Sequence, residues 1–503
     1  MTIFAPSSSM SAIPAFLDHE NPGHERYREA VELFGLFDYL KAQGIGVFSL
    51  RESLQAVGEC RDGTLQGFHL SDDEAWDSVC FMASLGVGVI ELPAYPANSY
   101  GQAANADLIA RTRAARLPIE FAAHARCVAE DVQAALDAGF TRLHMYIGTS
   151  TIKQATLRLG PQQLAERAFE SIRLARHLGA TSIRISTEDA FRTPLDDYMA
   201  FYERLQELLA TADLQVDGIG IPDTVGISTI DEVGDRIAVL RKVGISFDFL
   251  ECHIHNDIGN ADRMYVDTLL LCKRLGIRML PDFSILGIGE RNGTIGLSSL
   301  LEAIYRRLIQ LYPRKMTIIR AEMRERLGTL PNGELFVNRY RDMDAFFYKI
   351  MSRTGFVFDR SPFSANTEFD GSGVHADTTR RAYDLALAEG SAGQAAIDIG
   401  NSAYAGALPP YDMPIRTPVL ACFGCGKSNV RYWREHGQMR LRAHSAILAR
   451  IADIEGLGEI DLSHPIGESD ADDHAARLIR HHSVRYNGIT HHQAIEFVRL
   501  FFE

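Results

Sequence analysis

No run of apolar residues in this 503-residue chain approaches the 18 or so that a bilayer crossing requires. Blocks of lysine and arginine of the kind that neutralise phosphates are also missing: acidic residues outnumber basic ones, 65 to 51, for a net charge of −14. Neither nucleic acid nor an anionic membrane is therefore expected as a partner. The opening MTIFAPSSSMSAIPAFLDHENPGHE has no basic region leading into an apolar core, so it reads as a lead-in and not as a secretory signal. The seven cysteines are scattered and odd in number, which fits reduced thiols in a cytoplasm better than a disulfide framework. A glycine-rich phosphate turn after the first strand is absent as well, and with it the usual mark of a doubly wound nucleotide-binding sheet.

What is present is alternation. Short apolar runs stand at 45–50, 87–92, 118–125, 142–149, 182–186, 216–224, 248–255 and 277–287, separated by amphipathic segments of helical period. One such segment opens at Ser71, a capping residue, and closes at Gly86. Eight strand–helix repeats in about 270 residues predict an α/β fold, a (β/α)8 barrel over 42–311. Residues 1–41 read as the lead-in and a first helix, and 312–400 as a linker and a small subdomain. The mixture of helical patches with Gly/Ser/Pro-rich stretches predicts a helical subdomain over 401–503.

In such a barrel, function gathers at the C-terminal ends of the strands. ECHIHND (251–257) places His253 and His255 two apart on a strand, so both imidazoles point to one face and suit a shared cation. A further ligand is expected from the first strand, where two Arg–acid pairs compete. Glu52 of Arg51–Glu52 follows the strand at its rim, whereas Asp62 of Arg61–Asp62 lies ten residues on in a Gly-rich polar segment, so Glu52 is expected at the metal and Asp62 in an exposed loop. Other rim positions add His124 and Arg126 after strand three, Arg184, Ser186 and Glu188 after strand five, and Asp223 and Thr224 after strand six. Such a rim suits a small polyanionic substrate held on a metal.

Eight stretches, SLRESLQAVG (49–58), IELPAYPANS (90–99), HARCVAEDVQAAL (124–136), YIGTS (146–150), RISTEDAFR (184–192), PDTVG (222–226), ECHIHNDIGNA (251–261) and LGIGERNG (286–293), occur in family order. Through them the chain resembles the homocitrate synthases, within the wider isopropylmalate, homocitrate and citramalate synthase family of HMG-CoA lyase-like TIM barrels. The resemblance implies a Claisen-type condensation of acetyl-CoA with a 2-oxo acid and release of CoA. It implies a divalent metal (Zn, Mn or Mg) on Glu52, His253 and His255, with the 2-oxo acid chelating it. It implies Arg51 against the keto oxygen, and Gln55, Ser186, Glu188 and Thr224 along the pocket. Arg126 would grip a distal carboxylate, and the HxRC and RxSxED elements, which lean toward homocitrate synthase, favour 2-oxoglutarate; oxaloacetate, phosphonopyruvate and, in another class, an aldolase or lyase reaction are the alternatives. GSGVHAD matches the element that supplies a proton-transferring histidine, here His375, across a homodimer, and Tyr383 is the nearest match to the tyrosine that follows.

Departures from the family accompany the match. Ser53 stands where the family has glycine, and the extra residues ECRDGTLQ (59–66) are expected to be able to fold over the pocket. CGKSNVRYW resembles a loop of the second subdomain. Cys422 and Cys425 have no partner pair and read as plain thiols, and the tail after 430 is too short and helical for a leucine-sensing domain.

Overall fold

The computed structural model describes residues 24–94, 99–361, 364–405, 412–451, 460–485 and 489–503, with Pro14, Leu17, Leu408 and Ile454. The lead-in before residue 24 other than Pro14 and Leu17, positions 95–98 of the IELPAYPANS element and part of the 407–418 stretch lie outside the described residues.

Each of the eight apolar runs becomes a strand: β1 (Val47–Ser49), β2 (Val89–Pro93), β3 (Glu120–Arg126), β4 (Arg142–Gly148), β5 (Ser182–Glu188), β6 (Gly218–Asp223), β7 (Phe249–Ile254) and β8 (Met279–Phe283). They pair in parallel and close, with Val47 opposite both Val89 of β2 and Asp282 of β8. Continuous apolar runs suit this position because helices cover the outside while side chains fill the inside. The floor of the barrel is plugged by Val47, Phe249 and Leu280. Gly218 sits where a Cβ would fall 2.4 Å from the Phe249 ring, so only glycine lets that ring cross. The outer helices start as their sequences direct: Ser71 and Glu74 form a reciprocal capping box, as do Thr229 and Glu232. Among the described residues, no helix is long and apolar enough to cross a membrane.

The first core extends further along the chain than the alternation suggests. In the range read as the start of a linker, helix Met316–Leu327 packs on helices Glu25–Gln43 and Leu297–Leu311, and helix Phe336–Thr354 packs on Leu297–Leu311 and Asp72–Ser84. Their Ile319, Phe347 and Ile350, with Phe356 beyond them, belong to the barrel's own hydrophobic cluster. A second core holds Val419, Leu420, Val430, Leu478, Ile479, Val498 and Phe501, contributed by the last helices.

The 59–66 insertion joins the two cores. It is a β-hairpin, Val57–Glu59 against Leu65–Gly67, with Arg61 and Asp62 exposed at its tip as expected. Asp62 Oδ1 accepts from the Thr64 N–H at 3.0 Å, which closes the turn. The hairpin does not fold over the pocket. Gly67 N–H donates to Ala421 O (2.7 Å), Arg61 N–H donates to Gly355 O (3.1 Å), and Val57 enters the second core. A Cβ on Gly67 would lie 2.8 Å from Cys422 Cβ. Gly67→Val is therefore expected to destabilise the second core by about 1–3 kcal/mol through overpacking. The expected readouts are a lower urea midpoint and faster labelling of the buried Cys422 and Cys425 thiols, with Asp62→Ala leaving both as in the parent protein.

Candidate metal centre and pocket

Ser49 ends β1 and caps the helix Leu50–Gln55 by accepting from the Glu52 N–H at 3.1 Å. That turn aims Arg51, Glu52 and Gln55 at the barrel mouth. The Glu52 carboxylate is fully buried; Oε2 accepts from Arg51 (2.7 Å) and Oε1 from the Glu290 N–H (2.9 Å). Gly289 leaves the room for this, since a Cβ there would fall 2.3 Å from Glu52 Oε1. His253 Nε2 lies 3.6 Å from Glu52 Oε2 and 3.1 Å from His255 Nε2, so one carboxylate and two imidazoles converge as expected. His253 Nδ1 is fixed by Asp282 Oδ2 at 2.8 Å, which turns Nε2 toward Glu52 as a ligating histidine requires. Burial holds both imidazoles below their ordinary pKa, that is, in the neutral form that binds metal. The oxygen–nitrogen–nitrogen donor set fits a divalent cation.

Beneath the mouth lies a buried charge network that motif reading missed. Glu91 of β2 accepts from Ser49 Oγ (3.0 Å), Arg51 Nε (2.9 Å) and Arg184 Nη2 (3.2 Å), and lies 2.7 Å from His144 Nδ1. Arg184 also pairs with Glu251 and donates to Ser186 Oγ at 2.5 Å. Burial alone would raise the Glu91 pKa, but Arg51 and the neighbouring histidines hold it well below the usual range. Glu91, His144 and Glu251 form a second cluster of ligand-type atoms. The two arginines already neutralise its carboxylates, and we read it as a structural floor.

Across the mouth, Glu188 ends β5 and accepts from Lys153 Nζ (3.1 Å) and Tyr404 Oη (3.0 Å). Lys153 donates to the same tyrosine. His375 stacks on Tyr404 with ring centroids 3.7 Å apart and lies 2.8 Å from Glu290 Oε1. Burial, helped by Lys153, pushes the His375 pKa down to about 3, and burial lifts Glu290 to about 7. A cavity of about 730 Å³ runs from Arg51, Gln55 and His124 out to Gly424, Lys427 and Arg480 of the C-terminal subdomain.

One expectation changes. Tyr383 lies away from the cavity, packed against Gly400, and Tyr404 stands beside His375 instead. Arg126 lines the cavity with 42% of its side chain exposed, and pairs with Asp131, five residues on, through Nε at 2.9 Å and Nη2 at 2.6 Å. His375 lies 2.8 Å from Glu290 Oε1 at the mouth of its own chain's barrel. Thr224 Oγ1 accepts from the Asp189 N–H at 2.8 Å, which orders the rim between β5 and β6. Ser53 has a function that glycine lacks: its Oγ accepts from the Ile285 N–H at 2.9 Å and ties the Glu52 helix to the end of β8. Glu91, Glu251, Asp282 and Glu290 lie in stretches with legible strand or motif character, whereas nothing local marks Lys153 or Tyr404.

Residues 59–322 match the HMGL-like family model. Over 183 residues the chain is 34% identical to the mitochondrial homocitrate synthase of Schizosaccharomyces pombe, a stretch covering 36% of this chain and 40% of that protein. Over 263 residues it is 30% identical to the 2-isopropylmalate synthase of Methanocaldococcus jannaschii, covering 51% of this chain and 46% of that protein. The chain thus spans less than half the length of these curated relatives. Among solved structures, the HMG-CoA lyase from Brucella melitensis aligns with a TM-score of 0.40 at 18% identity, over 56% of this chain and 98% of that one.

Two measurements follow from the geometry. In calorimetric titration of the metal-free protein with a divalent ion, Asp282→Asn should lower affinity about 10–100-fold. Glu52→Gln should lower it further, while Asp62→Asn leaves it unchanged. The second measurement concerns acid. Burial, then Arg51, pushes the His124 pKa to about 3, against an ordinary 6.5. Below pH 6.5 the unfolded chain takes up a proton that the folded chain refuses. Stability is therefore intact above 6.5 and is lost as pH falls toward 3, by about 1.4 kcal/mol per pH unit for this one group. His124→Gln should make the dependence of the urea midpoint on pH shallower by one proton in that window.

Proposed function

The chain belongs to the HMGL-like family, and we propose that it condenses acetyl-CoA with a 2-oxo acid at the Glu52–His253–His255 centre and releases CoA. The observation that carries this reading is the link of that centre to a proton-handling group through Glu290, whose N–H donates to Glu52 Oε1 (2.9 Å) and whose Oε1 lies 2.8 Å from His375, itself stacked on Tyr404. A divalent cation held by the three ligands supplies Lewis-acid polarisation of a carbonyl.

The chain's own residues supply the rest. Arg51, fixed between Glu52 and Glu91, presents a guanidinium where negative charge develops on the acceptor's former keto oxygen. His375, neutral at working pH, takes a proton from the acetyl methyl group, and that carbon bonds to C2 of the acid. The new oxyanion takes up a proton, and water then cleaves the thioester C–S bond to leave free CoA thiol. Glu188, Lys153 and Tyr404 orient His375 and pass the proton. The HxRC and RxSxED elements lean toward homocitrate synthase and favour 2-oxoglutarate as the acceptor, and Arg126 lines the cavity while paired with Asp131. Seven unpaired cysteines support a reducing, cytoplasmic setting.

Free-thiol release from acetyl-CoA across a panel of 2-oxo acids tests the reading; an aldolase, a lyase or a non-catalytic binder gives none. His375→Ala should reduce kcat about 10²–10⁴-fold. Co-expression of Glu52→Gln and His375→Ala chains should restore no activity, because both residues serve the same chain's site. Recovery toward a quarter of the parental rate would instead mean that the histidine acts across subunits.

A further inference from the structure

The turn that follows β5 is fixed from three sides. Asp189, next to Glu188, is a buried non-glycine residue in the left-handed region (φ 65°), a conformation that persists only where its surroundings impose it. Its N–H donates to Thr224 Oγ1 at 2.8 Å, and its carbonyl accepts from Thr193 Oγ1 at 3.0 Å. Arg236, buried on helix Ile230–Val243, donates to Ala190 O at 3.1 Å and to Thr193 O at 2.7 Å.

From this anchor one side chain reaches into the C-terminal part of the chain. Arg192 is gripped by the Asp189 carboxylate, with Nε 2.8 Å from Oδ1 and Nη2 2.8 Å from Oδ2. The same guanidinium donates through Nη1 to Ser402 O and through Nη2 to Ala403 O, the latter at 2.8 Å. Those two residues close helix Gln394–Ser402, whose last carbonyls lack helical partners and favour a cation. The next residue is Tyr404. Its ring carries His375 at a centroid distance of 3.7 Å, and its Oη donates to Glu188 Oε1 at 3.0 Å. The acid that accepts from the tyrosine and the backbone that aims the tyrosine are therefore joined by one Asp–Arg pair.

Little slack is available at the tyrosine. Tyr404 is fully buried, so a shift of the helix end would strip its hydroxyl of Glu188 with no water to replace it. It would also withdraw the ring face from His375 and from Lys153 Nζ, 3.9 Å from the ring centroid. A planar fork can hold a carboxylate and two carbonyls at once, whereas an ammonium is a single point of charge.

We propose that Arg192 is a positioning residue for the proton-handling group: from the turn after β5 it holds the end of helix Gln394–Ser402, and through Tyr404 it fixes His375 beside Glu188. What that placement achieves rests on the condensation reading above; the placement itself is measurable without turnover.

The test uses the full-length, magnesium-loaded protein carrying isotope-labelled histidine. The His375 resonance, identified by its absence in His375→Gln, bears the ring-current shift of the stacked tyrosine. Arg192→Gln should move it to the range of an unstacked imidazole, and Arg192→Lys part of the way. In thiol release with the most active 2-oxo acid, Arg192→Gln should lower kcat about 10–100-fold. The acceptor KM should stay within about twofold of the parent value. In a Tyr404→Ala background the same change should cost less than about twofold, because no ring is left to aim. Tyr404→Leu replaces that background if Tyr404→Ala does not fold, and Arg192→Lys carries the test if Arg192→Gln does not. An arginine that merely clips two parts of the chain together would lower the urea midpoint and leave the resonance and kcat of the folded protein unchanged. An unmoved resonance, or full additivity with loss of the Tyr404 ring, overturns the proposal. If no acid releases thiol, the condensation reading fails, and the resonance alone decides whether Arg192 positions His375.

Discussion

The arrangement at the barrel mouth depends on one carboxylate that water never reaches. Glu91, on β2, receives Ser49 and Arg51 from the first strand and its helix, lies against His144 of β4, and takes Arg184 from β5. Removing a buried charge of this kind leaves two arginines uncompensated, which costs far more than the pair contributes when intact. Arg51 in turn meets Glu52, so the aim of the metal carboxylate depends on a residue that is not itself a ligand. The barrel supplies the scaffold for this. Parallel strands deliver every second side chain to the interior at fixed spacing, and side chains distant in sequence meet at one level.

Much of this was legible because it is local. The HxH pair needs only the two-residue period of a strand, and Glu52 needs only the rule that function sits where strands end. The same rule put Asp62 at a solvent-exposed tip, where it closes its own turn. What stayed hidden depends on packing between distant segments. Tyr404 reaches His375 because helices Gly373–Ala388 and Gln394–Ser402 fold against each other, and no spacing along the chain records that contact. The pairing of Arg126 was missed for the opposite reason: its partner, Asp131, was in plain view in the first turn of the next helix. The extent of the first core was missed because helices 316–354 are amphipathic without alternating strands. The first buries its apolar face against helix 25–43 and the second against helices 297–311 and 72–84, contacts that appear only in three dimensions.

The hairpin insertion bears on how the two cores are held together. Its backbone bonds to residue 421 on one side and to residue 355 on the other, so it clips the C-terminal core to the end of the barrel's last packing helix. Arg416, buried and paired with Asp370 at 2.7 Å, secures the segment that leads into the His375 helix. Gly371 approaches so closely that a Cβ would fall 2.6 Å from Gln55 O, at the end of the metal helix itself. Short contacts of this kind, repeated along one seam, hold the segment before the His375 helix against the end of the Glu52 helix.

Arg51, Arg184 and Lys153 meet their carboxylates within the protein, so their desolvation is compensated during folding. Glu91 on β2 and Glu188 at the end of β5 are the strand-borne partners, with Arg51 at 2.9 Å and Lys153 at 3.1 Å. Arg126, paired with Asp131 of the helix that follows β3, keeps 42% of its side chain exposed at the cavity and stands outside this buried set. A guanidinium fixed in advance, as Arg51 is, meets the condition under which a positive charge lowers a barrier and does not merely tighten binding.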